Sequence, residues 1–544
     1  MKFAKDYSNL AVLLVLTFLT FSNIFHNQFV MDDFDFIVDW PLIQSWANLP
    51  RFFVSYIPPD GQAGVYSPLK TLFHALSYHC FGLKPFGYHV VSLLVHLISI
   101  IFVYRICLFL AKSSWIAFAA SLLFALHPVQ VEAITYLTAS VDMIGVLFLF
   151  IAFDLYIRGD EKGRRRLPLV FAALAIFTHE LTIALPVLFL WYDVCLRPGQ
   201  EKWLTKAKRV LPYFILALFY VLAKFAVLGS ISRGGYLYES FYLTMLVIVK
   251  ALLEYIWICF VPVTLTVNHI ISDGIFSYGP EDFDRAAVLS QSILDTQVFA
   301  AVIVLGIIGY FMVRYFKEKP LVSFCLGWFF LSLLPVSNIV PSGIYFGERY
   351  LYPGLLGFCL WAALWLEKIC QPGKAGGRSR RAGLGILLLI IAFYSGRTYL
   401  RNQDWKNEIT FYELAVRENP QSAFMRRDLA IIYLSQGQVP QAAKTLEQAI
   451  LLKRDDADLF FTLANVYLTL TEYEEAKAAL QEAIRLQPEF PEAYYNLAGL
   501  YAQEEKRQEA RTHLNKALEL YRRQGKFLEA YEGNQAFRSY FSSI

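Results

Sequence analysis

The sequence has little from which a metal-binding or disulfide framework could be built. Its seven cysteines (Cys80, Cys107, Cys195, Cys259, Cys325, Cys359 and Cys370) follow no metal-ligand spacing, so they read as small, buried apolar side chains. Net charge is also scarce: Lys and Arg exceed Asp and Glu by only four in 544 residues. No basic block interleaves with aromatics, which excludes a nucleic-acid-binding surface. A small-residue cleavage site is missing after the apolar run from Leu10 to Ile24, so that run reads as an uncleaved first membrane span. Beyond Arg401 the long apolar runs themselves are missing. The chain there is charged and rich in Ala, Leu, Glu and Gln, and the shift marks a domain boundary. What is abundant is apolar: 56% of residues are hydrophobic and 16% aromatic, too much for a large soluble globule, so most of the chain belongs in lipid.

A helix needs about 20 apolar residues to cross a hydrocarbon core of roughly 30 Å. On that measure the spacing predicts eleven spans, near 9–27, 89–111, 115–132, 141–157, 167–178, 181–196, 210–228, 297–313, 320–335, 349–366 and 383–400. Two long loops, 28–88 and 229–296, then lie on one side. Lys and Arg accumulate on the cytoplasmic side. With the N-terminus there, 22 basic residues fall inside and seven opposite. The segment Phe241 to Val261 is apolar too, but letting it cross would put every later basic loop on the wrong side. It is therefore expected to be an interfacial or re-entrant helix, which leaves the C-terminal region outside the cytoplasm. A bacterial inner membrane is the expected host.

Leu-Ala-x-x-Tyr recurs at Leu429, Leu463 and Leu497, with Tyr433, Tyr467 and Tyr501 four residues on, at intervals of 34 residues. That is the tetratricopeptide period. Ala442, Ala476 and Ala510 keep the same spacing where two helices must pack closely, as do Ala449, Ala483 and Ala517. Three repeats are expected over 422–523, preceded by a half-repeat or linker at 401–421 in which Ala415 matches the phase, and followed by a capping helix at 524–544. Stacked units of this kind form a superhelix with a groove that takes extended peptide, or that serves assembly alone.

Directly after the first span come Asp32 and Asp33, paired carboxylates at the outer surface. They suit a general base that deprotonates a hydroxyl, a divalent-metal ligand pair, or merely a solvated loop. Three further places set ionisable residues where helices should be apolar: His127-Pro128 with Glu132 and Asp142, His179-Glu180, and Glu348-Arg349-Tyr350. All fall on the side of Asp32 and Asp33, and ionisable groups converging at a membrane face suggest a polar catalytic cavity.

These residues and the repeats resemble the transmembrane and tetratricopeptide-repeat O-mannosyltransferase family and its bacterial relatives of the GT-C glycosyltransferase class. The resemblance runs through the double Asp loop at Asp32, Tyr66-Ser67-Pro68-Leu69, Pro85-Phe86-Gly87-Tyr88-His89 and His127-Pro128 with Glu132-Ala133. It continues through Leu334-Pro335-Val336-Ser337-Asn338, Glu348-Arg349-Tyr350-Leu351-Tyr352, Arg397-Thr398, Arg401-Asn402 and Asp404-Trp405. It implies an all-α protein, a polytopic GT-C-like membrane bundle over 1–400 followed by a tetratricopeptide α-solenoid.

It further implies a polyprenyl-phosphate-linked sugar donor and inverting transfer to a protein or glycan acceptor, with peptide or protein at the repeat groove. Asp32 or Asp33 would be the base or a metal ligand. Arg349 would stabilise charge on the departing lipid phosphate, with His89, His179 and Lys250 as helpers. The chain departs from the family pattern at Ser67, where Arg is usual, at Ser140, in place of another Arg, and at His179, often Lys. Two other readings compete: a non-catalytic membrane-anchored scaffold, and another lipid-linked glycan enzyme such as a ligase or polymerase.

Overall fold

The computed structural model describes residues 2–54, 66–159, 166–197, 201–267, 269–272, 275–276, 279–280, 291–370, 378–526 and 535. These divide into a unit ending at Phe411 and a second beginning at Tyr412.

The first unit is helical. In chain order it comprises α1 (Lys2–Phe21), α2 (Arg51–Val54), α3 (Pro68–Phe81), α4 (Pro85–Ala111), α5 (Ser114–Leu126), α6 (Gln130–Thr135), α7 (Leu137–Ser140), α8 (Asp142–Arg158), α9 (Leu167–Thr178), α10 (Leu185–Cys195), α11 (Trp203–Leu228), α12 (Phe241–Phe260), α13 (Thr296–Glu318), α14 (Pro320–Ser332), α15 (Leu355–Cys370) and α16 (Arg378–Gln403). Three short antiparallel strands, β1 (Ile270–Ser272), β2 (Ile275–Phe276) and β3 (Gly279–Pro280), were not expected and form the one sheet among the described residues.

Among the described residues seven helices are long and apolar enough to cross a bilayer, and three shorter apolar helices accompany them. Their outer faces confirm the solvent they are built for. On α13 Phe299, Ile303, Ile307, Tyr310 and Val313 are exposed while only Val298 and Ala301 are buried. An apolar patch of that extent is untenable in water and ordinary in lipid.

The expected spans at 115–132 and 349–366 are shorter than the hydropathy pattern suggested. Pro128 disfavours helical backbone at His127, which is extended (φ −61°, ψ 125°), so α5 stops at Leu126 after 13 residues. At the other place, a 3₁₀ turn at Glu348–Leu351 precedes α15. The short α9 and α10 are likewise separated by a 3₁₀ turn, Glu180–Ala184. Irregular backbone at such depth persists only where protein encloses it, and α5 meets that condition, with ten of its 13 residues buried. Small side chains make the enclosure tight. A Cβ on Gly357 would lie 2.5 Å from the Cys325 carbonyl oxygen, so α14 and α15 touch through backbone.

α12 is one unbroken 20-residue helix and one of the seven long and apolar enough to cross. Before its start Tyr236 donates to the Ile339 carbonyl at 2.9 Å. Near its end the Cys259 carbonyl accepts from His127 Nε2 at 3.0 Å, and the Tyr255 hydroxyl donates to the Gly347 carbonyl at 3.2 Å. Residues 339–347 form one loop between α14 and α15 that is contacted from before the start of α12 and from near its end, while the Phe260 ring at its last turn lies 5.8 Å from the Trp361 ring of α15.

The second unit carries the repeats. Helix α17 (Glu408–Glu418) leads into three antiparallel pairs, α18 (Ala423–Ser435) with α19 (Val439–Leu452), α20 (Ala457–Thr469) with α21 (Tyr473–Leu486), and α22 (Pro491–Gln503) with α23 (Arg507–Arg523). Leu429, Leu463 and Leu497 are buried, as are the six periodic alanines and Ala415. Tyr433, Tyr467 and Tyr501 are half-buried. Most of the expected capping helix at 524–544 lies outside the described residues.

Candidate active site

The chain leaves α1 through a turn in which Met31 adopts a left-handed conformation (φ 53°). This places two adjacent carboxylates in opposite environments. Asp33 is fully enclosed. Its Oδ1 accepts from the backbone amide and hydroxyl of Thr138, both at 2.7 Å, and its Oδ2 from the Val30 amide at 3.1 Å. Burial pushes its pKa up to about 7 against the pull of those hydrogen bonds, and the charge of Asp32 adds to the rise. Asp32 is exposed. Asp33 thus pins the loop to α7, four residues before Asp142, and leaves Asp32 facing outward.

Asp142, at the start of α8, is gripped from two sides. Lys70 of α3 donates to its Oδ1 at 2.7 Å. His179 accepts the Leu181 amide on Nδ1 at 3.2 Å, which leaves the proton on Nε2, 3.3 Å from Asp142 Oδ2. Next in sequence, Glu180 receives Lys224 at 2.9 Å and Arg233 at 2.5 Å. Glu132 takes both the backbone amide and the guanidinium of Arg349, and that guanidinium lies 4.8 Å from the Tyr350 ring centroid. The groups share one electrostatic neighbourhood, since Asp142 is acted on by Arg349 and Arg233 by Asp142 and Tyr350. Among the described residues four cations thus meet three carboxylates at helix breaks, a surplus of positive charge where an anionic group could be received.

Of the sequence candidates, Glu132, Asp142, His179, Glu180 and Arg349 belong to this network. Glu348 stands beside it but is fully buried, held by His269 at 2.8 Å and Arg401 at 3.4 Å. His127 does not take part. With Nδ1 accepting the Val129 amide and Nε2 committed to Cys259, it is a packing residue at the end of α5. His89 is wholly buried beside Asn27 rather than in the network.

Sequence reasoning missed Lys70, Lys224 and Arg233. Lys70 stands one helical turn after Ser67, on the same face, and so supplies charge close to where the family arginine is absent. Lys224 could have been found as an ionisable residue inside an apolar helix. Nothing local marks Arg233.

Among the described residues no group of three or more His, Cys, Asp or Glu side chains could hold a metal. Three of the roughly four acceptor positions of Asp33 are already filled by N–H and O–H donors. One acceptor position on its Oδ2 stays open, so Asp33 has little to offer a metal beside Asp32 while those bonds hold.

Comparison with known proteins bears on the same residues. The model of the dolichyl-phosphate-mannose-protein mannosyltransferase family matches residues 65–226, a stretch that contains Lys70, Asp142, His179, Glu180 and Lys224. A tetratricopeptide-repeat model matches 461–525, and that of anaphase-promoting complex, cyclosome, subunit 3 matches 401–483. A protein O-mannosyl-transferase of Caenorhabditis elegans is 25% identical over 82% of this chain and 63% of its own. Protein O-mannosyl-transferase Tmtc3 of Drosophila melanogaster is 24% identical over 78% of this chain and 52% of its own. TMTC3 of Homo sapiens is 25% identical over 79% and 49%. Together these support a repeat-containing, O-mannosyltransferase-like family. With its apolar helices, the chain is a multi-pass integral membrane protein. It spans between about half and two thirds of the length of the relatives it resembles.

Proposed function

We propose that the protein is a membrane glycosyltransferase that moves a sugar, mannose being the first to test, from a polyprenyl-phosphate carrier to a hydroxyl of a protein acceptor on the extracytoplasmic side. The observation that carries this is the network of Lys70, Arg233, Lys224 and Arg349 with its carboxylates, gathered at helix breaks beside the Asp32 loop. The relatives' names supply mannose and the protein acceptor, and the repeat unit is read as the platform for that acceptor or a partner protein.

In the proposed reaction the acceptor oxygen attacks the anomeric carbon, and the bond from that carbon to the phosphate oxygen breaks with inversion. Asp32 takes the hydroxyl proton, the lipid phosphate leaves as an anion, and the excess positive charge of the network stabilises it. Asp33 acts as a positioning residue that fixes the loop. The eleven-span arrangement with a cytoplasmic N-terminus, in which α12 does not cross, rests on loop charge. A bacterial inner membrane remains our reading of the host from sequence alone.

The test is transfer of labelled mannose from a polyprenyl-phosphate donor to a hydroxyl-containing peptide. Asp32→Asn should lower the rate about 10²- to 10⁴-fold with folding unchanged. Full activity in that variant would remove Asp32 from the reaction, and absence of transfer by the wild type with any lipid-linked sugar would favour the scaffold reading.

A further inference from the structure

The end of the bundle opposite the candidate site also holds a cavity. Helix α15 begins just after Arg349 and runs 16 residues to Cys370, about 24 Å at 1.5 Å per residue. At its far end it closes a cavity of about 880 Å³ together with the ends of α4, α10 and α13 and the start of α14. That volume suits a sizeable ligand.

The walls are apolar and aromatic, with Trp361 and Trp365 on α15. Trp365 is 55% exposed, so the cavity opens sideways to lipid, and Trp at this depth marks a membrane interface. The rim is basic. Lys112 caps α4, Lys319 links α13 to α14, and Lys368 stands near the end of α15. All three are exposed, and none enters an ion pair among the described residues. The Lys319 ammonium merely rests 4.6 Å from the Tyr315 ring centroid. The one carboxylate in the lining, Glu367, accepts from the Ser113 hydroxyl at 3.5 Å. Three uncompensated ammonium groups above an apolar trough open to the bilayer match a negatively charged headgroup with acyl chains below it.

We propose that this groove binds an anionic phospholipid in the leaflet opposite the candidate active site, its phosphate among Lys112, Lys319 and Lys368 and its chains along Trp361. The site is separate from the sugar-transfer reading and its test does not use activity. The full chain is placed in nanodiscs of mixed phosphatidylglycerol and phosphatidylcholine, and the lipids it retains on release are weighed by native mass spectrometry. Phosphatidylglycerol should be enriched over its bulk share, each Lys→Gln change at the three positions should cut that enrichment about fivefold, and Glu367→Gln should raise it.

Retained lipid of bulk composition would overturn the proposal, as would enrichment unchanged in Lys112→Gln/Lys319→Gln/Lys368→Gln. If the triple variant does not fold, the single Lys368→Gln protein and the salt sensitivity of wild-type retention decide the matter on their own. Displacement of the lipid by added inorganic phosphate would overturn the lipid assignment in favour of a soluble anion.

Discussion

The two units keep their charge in opposite places. In the membrane unit Arg401 and Glu348 are both completely enclosed, and the pairs of the candidate site are mostly buried, with 7–22% of each side chain exposed. In the repeat unit Arg485 and Glu482 meet at 2.7 Å with 66% and 35% of their side chains exposed. A pair in water contributes about 0–1 kcal/mol, because solvent screens it and two long side chains must be ordered. A buried pair is costly to break because the remaining charge has nowhere to go. Charge therefore governs the membrane unit, while close packing and turn geometry govern the repeats.

The largest effect follows from removing one enclosed partner. Glu348→Ala removes one enclosed carboxylate partner of Arg401, which keeps Asp404 at 3.1 Å, and the carboxylate 2.8 Å from His269. It should destabilise the membrane unit by about 3–5 kcal/mol, measured by thermal unfolding in detergent. Arg485→Ala should change stability by less than about 1 kcal/mol. Equal effects would erase the contrast.

Asp33 gives the next. Its pKa rises from 3.8 in the unfolded chain to about 7 when folded, so the folded state favours the protonated acid. The associated stability is full below about pH 4 and lost as pH climbs through 7, on the order of 4 kcal/mol in all. Asp33→Asn should flatten that part of the stability profile between pH 4 and 7. A profile unchanged by the substitution would show the carboxylate to be ionised throughout.

How far the sequence reaches differs between the units for the same reason. The repeats obey a local rule, so the period of 34 read from Leu429, Leu463 and Leu497 locates every helix pair. In the membrane unit, hydropathy finds the helices, but the partners of each polar group come from distant segments. His127 and His179 look alike in sequence, each following an apolar run. One is claimed by Cys259, 132 residues on, and the other by Asp142. Adjacent Asp32 and Asp33 part ways because Thr138, 105 residues away, takes only one of them. Lys70, Lys224 and Arg233 bring basic charge to the network from positions outside the family pattern, which residue-by-residue matching does not detect.

Those positions supply the third prediction. Lys70→Met leaves Asp142 with His179 as its direct partner among the described residues and removes a cation from the network. It should cut transfer about 10²-fold, as loss of one electrostatic stabiliser does, while the turn at Asp33 stays intact. Arg introduced at Ser67, in the Lys70→Met background, should restore part of the rate if position in space rather than in sequence is what the network requires. No recovery, with the protein folded, would tie the role to the Lys70–Asp142 pair itself.

The smallest effect belongs to the repeats and is a matter of backbone. The turns joining the two helices of each repeat place Gly437, Thr471 and Glu505 at equivalent positions, with φ of 74°, 61° and 58°. A left-handed conformation is free of strain for glycine and unfavourable for other residues, most of all for a β-branched one. Thr471 makes its side-chain hydrogen bond only to the neighbouring Leu470 carbonyl, so little is lost with it. Thr471→Gly should therefore stabilise the repeat unit by about 0.5–1 kcal/mol, the relief of strain exceeding the added entropy of the unfolded chain, and Glu505→Gly by somewhat less. Destabilisation by Thr471→Gly would mean that the turn is held by its side chain rather than tolerated, and the repeats would then owe more to polar contacts than their packing of small residues indicates.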